Sequence, residues 1–315
     1  MDENSTGHPV ALVAGASRGL GLLIAIEIGR RGYDLALCSR SLESLERARE
    51  ILAVQVPDAT VFVAASDVSD PAQVDTFVAE AIEQLGPIEV AVQVAGIIQV
   101  GPWEATTHEH FRQALDVMLW GPVNLALAVV PGMTARGHGR FGVVGSVGGV
   151  VSRPRLLPYS VAKYGASGLV EGLAAELAGT GVTATLLVPG LMRTGSHTAA
   201  TFYGDAARQY AWFAPSASLP LLSMDAEKAA RQMVDGVLSG RPVVHISALS
   251  AVARRVHGLA PGLTVRAMGL ASRILPRGTD PEVVSGTEAR RRLSSPFVDR
   301  LTTLGDRAGR RTNEA

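Results

Sequence analysis

Short apolar runs alternate along this chain with longer stretches in which apolar residues recur every three or four positions. The short runs predict strands at Val10–Ala14, Asp34–Cys38, Thr60–Ala65, Ile88–Val94, Phe141–Gly145, Val182–Val188 and Pro242–Ile246. The amphipathic stretches predict helices over Gly19–Arg31, Leu42–Val54, Pro71–Leu85, about Thr107 to Val130, Pro158–Ala178 and Asp225–Leu238. Continuous apolar strands with helices between them predict a parallel sheet covered on both faces. The fold class expected is α/β, a doubly wound sheet with a helical C-terminal extension. Its ligand should lie at the carboxyl ends of the strands. Residues 1–8 are expected to be a flexible N-terminus, 9–246 the sheet domain, 247–276 the helical extension and 277–315 a mobile basic tail.

The first predicted strand enters its helix through Ala14-Gly15-Ala16-Ser17-Arg18-Gly19-Leu20-Gly21. Glycines let a backbone turn sharply and come close to a phosphate, and the start of the helix offers free N–H groups and a positive dipole. The turn formed by Gly15, Ser17, Arg18, Gly19, Leu20 and Gly21 is therefore a candidate dinucleotide cradle of Rossmann type. Its spacing is GxxxGxG rather than the commoner GxGxxG. The second strand ends nineteen residues past Gly21 in Ser39-Arg40-Ser41. A fold that prefers NAD usually places an acid there to hold the ribose hydroxyl. A cation flanked by hydroxyls suits the 2′-phosphate of NADP instead. Arg18 can reach the same group, so NADP is expected over NAD.

Of the 29 basic residues only Lys163 and Lys228 are lysines. Lys163 stands four places after Tyr159, which puts both on one face of a predicted helix. Lys is a compact point charge where Arg is a fork. A nearby ammonium favours phenolate over phenol, so the Tyr159 pKa, roughly 10 when unperturbed, is expected to fall toward neutrality. Tyr159 is then a candidate proton donor or acceptor.

Charge narrows the partners. The chain has 29 basic and 29 acidic residues and no net charge, which argues against a general nucleic-acid binder. The balance is uneven, because residues 241–315 hold 13 arginines and six acids and carry +7, and the rest carries −7. The single cysteine, Cys38, forbids an internal disulfide and reads as a packing residue of a buried strand. The polar, acidic start does not resemble a signal peptide, and no apolar run approaches the roughly 20 residues that span a bilayer. A cytoplasmic protein is expected. His108, His110, His138, His197, His245 and His257 lack metal-ligand spacing with acids or the cysteine and are read as surface or packing residues, so no metal is expected.

Gly15-xxx-Gly19-x-Gly21, Ser146 thirteen residues ahead of Tyr159, and Tyr159-xxx-Lys163 together resemble the classical short-chain dehydrogenase/reductase (SDR) family. The likeness covers about residues 9–246. It implies that Asp67 and Val68 contact the adenine, that Ala95 and Gly96 close the fourth strand, and that Pro189, Gly190 and Thr194 hold the nicotinamide end. It also implies that Tyr159 exchanges a proton with the substrate oxygen and that Lys163 holds the nicotinamide ribose and lowers the Tyr159 pKa. Ser146 would hydrogen-bond the carbonyl or alcohol oxygen.

Two positions depart from the family pattern. Asn-Asn-Ala-Gly is replaced by Gln93-Val94-Ala95-Gly96, and the Asn that supports a proton relay beside the Lys is replaced by Met118. A thioether donates nothing and accepts weakly. The expectation is an NADP-dependent oxidoreductase, with a catalytically weak or inactive NADP-binding sensor as the alternative. An extended-family sugar epimerase or dehydratase would share YxxxK but normally carries GxxGxxG.

In the family the substrate region is bounded by the segments matching Ile97–Trp103, Val147–Leu157 and Leu191–Leu222. The last carries Phe202, Tyr203, Tyr210, Trp212 and Phe213, which either pack against the domain or a partner subunit or form a lid suited to a bulky apolar carbonyl or alcohol, lipid-, steroid- or polyketide-like. The extension mixes apolar residues with Arg254, Arg255, Arg266 and Arg273. It reads as an extra helical subdomain against the core or across a homo-oligomer, or as a surface for peripheral membrane contact. The tail lacks an apolar period and holds no motif residue, so trimming after Pro276 is expected to leave activity intact.

Overall fold

A computed structural model describes residues 7–220 and 223–314. Residues 1–6 of the expected flexible start, 221–222 of the expected substrate segment and residue 315 lie outside the described residues. Seven strands form one sheet: β1 Val10–Ala14, β2 Asp34–Ser39, β3 Val61–Ala65, β4 Ile88–Gln93, β5 Gly139–Val144, β6 Val182–Val188 and β7 Val243–His245. They lie in the order β3-β2-β1-β4-β5-β6-β7, and every pairing is parallel. The order reverses between β1 and β4, which is where a doubly wound sheet opens a crevice for a ligand.

The helices are α1 Gly19–Gly29, α2 Leu42–Gln55, α3 Pro71–Leu85, α4 His108–Arg136, α5 Leu157–Glu176, α6 Ala206–Ser218, α7 Ala226–Leu238, α8 Ala248–Leu259, α9 Pro261–Ile274, α10 Gly286–Leu293 and α11 Pro296–Arg311. Leu22, Leu45 and Met233 bring α1, α2 and α7 onto one face of the sheet. Phe77, Leu125 and Val170 bring α3, α4 and α5 onto the other. Among the described residues α4 alone is long and apolar enough to cross a membrane, but half of its most apolar window is buried, with Leu125, Val129 and Met133 in the core. It contains a π-helical turn at Asp116–Trp120. Pro122 follows, and without an N–H it cannot bond the Met118 carbonyl, so the regular ladder is already broken there.

The extension divides into two unlike pairs. Helix α8 buries only Ser250 and α9 buries no residue at all. Residues 277–315, expected to be mobile, instead carry α10 and α11, both packed on α6. The reason is a stripe that an apolar count misses: Val298, Thr302, Gly305 and Gly309 are the buried side of α11. A Cβ on Gly305 would come within 2.6 Å of Ser218 Oγ, and one on Gly309 within 3.0 Å of Gly195 Cα. The missing side chains let α11 approach that closely. Polar anchors complete the contact, with His197 Nε2 2.9 Å from Asp306 and Arg290 Nε donating to Asp299 at 2.6 Å. A small sheet of Gln99–Val100, Thr201–Phe202 and Val284–Ser285 stitches the tail to the substrate segments.

Candidate active site

Backbone conformation shapes the turn after β1. Gly15 has φ +88, and a Cβ there would lie 2.5 Å from Ala95 N. A Cβ on Gly21 would lie 2.0 Å from the Gly15 carbonyl oxygen. No side chain fits either place, so the turn can close only with glycine. It opens a cleft of about 850 Å³ at the carboxyl ends of the strands. Gly15, Ser17, Arg18, Gly19, Leu20, Gly21, Ser39, Arg40, Asp67, Val68, Ala95, Gly96, Ser146, Tyr159, Lys163, Pro189, Gly190 and Thr194 all line it. β2 and β5 lie on opposite sides of the β1–β4 pair, which spreads Arg40 and Ser146 across the cleft.

Side-chain hydroxyls and amides hold the loops. Ser41 caps α2 through Ser44 N, and Ser39 Oγ donates to the Ser41 carbonyl at 3.2 Å. Arg40 and Arg18 are exposed. Asp67 accepts from Ser69 N and Oγ, and Asn124 Nδ2 donates to the Val68 carbonyl at 2.9 Å, which supports the Asp67-Val68 corner from α4. Thr194 Oγ1 accepts from Ser196 N at 3.2 Å. Ser66 Oγ lines the cleft, buried and with no hydrogen-bond partner.

The titratable cluster sits where β5 meets α5. Ser146 has extended backbone, and its Oγ accepts from Gly148 N at 3.0 Å. Gly148 and Gly149 bring α5 in close: a Cβ would lie 3.1 Å from Tyr159 Cε1 in one case and 2.6 Å from the Lys163 carbonyl oxygen in the other. Lys163 is buried, and its Nζ donates to the Val144 carbonyl at 2.6 Å. Burial brings this ammonium down to about 8. Met118 is buried beside it, because a Cβ on Gly96 would meet Met118 Sδ at 3.5 Å and Lys163 Nζ at 3.8 Å. Gln93, also buried, leaves both its amide nitrogen and its oxygen unpaired.

The expected fall of the Tyr159 pKa is not what this arrangement produces. Burial raises it, against a hydrogen bond with Ser146 and the charge of Arg153, which pull it down. Lys163 points its ammonium at the Val144 carbonyl instead. The cation acting on the phenol is Arg153, a residue the sequence reading missed although it lies inside the segment Val147–Leu157. Arg153 lines the cleft, and its guanidinium has no hydrogen bond or ion pair among the described residues. Burial lowers its pKa and the Tyr159 charge opposes this.

Glu314 was missed as well, since it lies in the segment expected to be mobile. It lines the cleft, and its Oε2 accepts from Gly195 N at 2.7 Å and from Thr312 Oγ1 at 3.2 Å. A Cβ on Gly19 would lie 2.9 Å from its other oxygen. Burial raises its pKa, while the Gly195 and Thr312 bonds and the charge of Arg18 lower it. A carboxylate thus stands against the glycine turn, where the donors suit a phosphate. The residues present fit a dinucleotide.

Of the two readings of the aromatic segment, packing against the domain describes most of these side chains. Phe202, Tyr203 and Tyr210 are fully buried, and of the five aromatics only Phe213 lines the cleft. Phe202, Tyr210 and Phe213 form an apolar cluster of their own with Trp212 against it, and Tyr203 stacks on His110 at 4.0 Å. They build the wall rather than the surface.

A family model described as short chain dehydrogenase matches residues 9–201. Glycine betaine reductase ATRR of Emericella nidulans is 34% identical over 181 residues, 58% of this chain but only 14% of that protein's length. The putative ketoacyl reductase 1 of the granaticin polyketide synthase of Streptomyces violaceoruber is 33% identical over 192 residues, 60% of this chain and 70% of its own. Among solved structures, a short-chain dehydrogenase from Streptomyces avermitilis superposes with a TM-score of 0.72 at 27% identity, covering 87% of this chain and 99% of that one.

Proposed function

The chain belongs to the short-chain dehydrogenase/reductase family, and from that premise we propose that it is an NADP-dependent reductase of a bulky apolar carbonyl compound, working through Ser146, Tyr159 and Lys163. The observation that carries this reading is the convergence of those three side chains on one cleft with the glycine turn, Arg18 and Arg40. The glycine turn and Arg18 would hold the phosphates, Arg40 the 2′-phosphate, Asp67 and Val68 the adenine side, and Pro189, Gly190 and Thr194 the nicotinamide side. When bound, the nicotinamide supplies the hydride.

The chain's own groups supply placement and the proton. Ser146 Oγ is positioned to hydrogen-bond a substrate oxygen, and its bond with Tyr159 places the phenol next to the same atom. Because burial raises the Tyr159 pKa, this residue stays a phenol at neutral pH. That is the form that gives a proton to a developing alkoxide. Arg153 stabilises the phenolate left behind, and Lys163 would hold the nicotinamide ribose. Ile97, Ile98, Leu156 and Phe213 give the cleft apolar walls. The similarity to a polyketide ketoacyl reductase supports a carbonyl substrate of that kind.

The test is a fluorescence titration with NADPH and NADH, followed by turnover on a panel of apolar ketones. Tighter NADPH binding with ketone-dependent oxidation supports the proposal. Equal binding of NADH removes the NADP assignment. NADPH binding without turnover on any ketone favours the second reading, a weakly catalytic NADP-binding sensor, for which Met118 beside Lys163 and the unpaired amide of Gln93 speak.

A further inference from the structure

The chemistry above makes no use of α8 and α9, yet they form the most apolar exposed surface of the extension. Leu249, Leu263 and Leu270 are exposed, Leu259 is 88% exposed and Ile274 86%. A helix on a water-facing surface normally turns such residues inward. The cations on these helices are Arg254, Arg255, Arg266 and Arg273, and no acid lies between 247 and 276. Arg254 pairs with Glu171 of α5, while Arg255, Arg266 and Arg273 are exposed with no ion pair among the described residues. We propose that the α8–α9 hairpin docks this protein on an anionic lipid surface. Apolar side chains beside unpaired arginines match the acyl boundary and the headgroup charge of such a surface. A second copy of the chain would bring an equally cationic face against this one, which repels.

The hairpin is coupled to the cleft. Arg155, held in the left-handed region at φ +68, donates Nε to the Pro276 carbonyl at 2.7 Å and Nη2 to the Leu275 carbonyl at 3.1 Å. The end of α9 is thereby tied to the loop that carries Arg153 and Leu156 into the cleft. A docked hairpin sets the substrate entrance beside the bilayer, which suits an apolar carbonyl dissolved there; that last clause rests on the proposed function, but the docking does not.

Vesicle flotation tests the docking. The full chain should float with vesicles of phosphatidylcholine and phosphatidylglycerol and less with phosphatidylcholine alone. The double variant Arg266→Gln/Arg273→Gln should lose about fivefold in partition per arginine on the anionic vesicles. Leu259→Ser/Ile274→Ser should lose binding to both while keeping NADPH affinity. Wild-type protein that floats with neither vesicle, or variants that float as well as wild type, would overturn the proposal. A dimer in solution that the Leu259→Ser/Ile274→Ser variant splits, without flotation, would give the face to a second copy. NADPH titration and reduction of a water-soluble ketone judge the active-site reading separately.

An independent observation lies inside the cleft. The Gly19 N–H, one of the free donors at the start of α1, donates to the Thr312 carbonyl at 2.7 Å. Asn313 Nδ2 donates to the carbonyls of Ser17 at 2.7 Å and Ser44 at 3.1 Å, and Glu314 takes the Gly195 N–H. Thr312 thus occupies an N–H of the glycine turn that a pyrophosphate would use, and Asn313 and Glu314 fasten the segment beside it. We infer that this segment is a latch competing with the dinucleotide for the glycine turn. Deleting residues 309–315, which removes Thr312 with the segment that carries it, should tighten NADPH by about tenfold in a fluorescence titration, the scale of a hydrogen bond to a charged group, and Glu314→Gln should do so more weakly. NADPH should also speed hydrogen exchange over 309–314. Unchanged or weaker NADPH binding in the deletion, or slower exchange with NADPH present, would overturn the latch.

Discussion

The two ends of the cleft are built from different materials. At the proposed cofactor end the donors are backbone amides of the glycine turn and Gly195, the cations Arg18 and Arg40 are exposed, and residues 312–314 bond to Gly19 and Gly195. At the proposed catalytic end the donors are buried or half-buried side chains: burial lifts Tyr159, brings Lys163 to about 8 and depresses Arg153. Geometry governs the first end, since a backbone amide has no protonation state to set. Protonation governs the second, and burial is the lever. Binding and chemistry should therefore fail separately.

The sharpest cut is Tyr159→Phe. The ring packs as before, but the proton is gone, so turnover should fall about 100- to 10,000-fold with NADPH affinity kept. Stopped-flow reduction alongside a binding titration checks this, and a variant with near wild-type turnover would break the comparison. Arg40→Asp cuts the other end. Removing a charge-assisted contact and adding repulsion should weaken NADPH by about 10- to 100-fold with little effect on NADH. Turnover at saturating NADPH should persist.

The pH dependence comes next in size. Lys163 charges at about 8 in the fold against 10.5 for a free lysine. Above about pH 8 the cation is lost, so kcat should fall by up to about tenfold per unit, while NADPH binding through backbone and arginine changes less. The unfolded chain keeps this proton to a higher pH. Folding stability from Lys163 therefore rises between about pH 8 and 10.5, so denaturant titrations should run opposite to the rate. The smallest effect is expected for Met118→Asn. An amide beside Lys163 gives its ammonium a second acceptor, and turnover should rise a few-fold with an altered solvent isotope effect. No change in either would show that Met118 is only packing.

Much of this was readable from residue order. The strands, the glycine turn and the Tyr159–Lys163 spacing are local patterns that depend on neighbours within a few positions, and Ser146 was found through the family's order of motifs. What escaped depends on contacts between distant segments. Apolar periodicity misleads in both parts of the extension: α8 and α9 have the apolar residues but leave them exposed, while α11 has few yet is locked to Ser218 of α6 through Gly305 and to the Gly195–His197 segment through Gly309 and the His197–Asp306 pair. Glycine reads as flexibility in a sequence and serves as close approach in a fold. Arg153 and the direction of the Tyr159 shift were hidden for a related reason. A helix face places Lys163 beside Tyr159, but only the packed loop shows that the ammonium is committed to Val144.

Ser17 and Asn313, joined by a hydrogen bond, are 296 positions apart. A ribosome adding roughly 5–20 residues per second takes about 15–60 s to cover that distance. During that time the β1–α1 turn has emerged and its latch has not. A nascent chain thus meets free dinucleotide before it meets its own residues 312–314. The order of synthesis gives the cofactor the first opportunity to occupy the cradle.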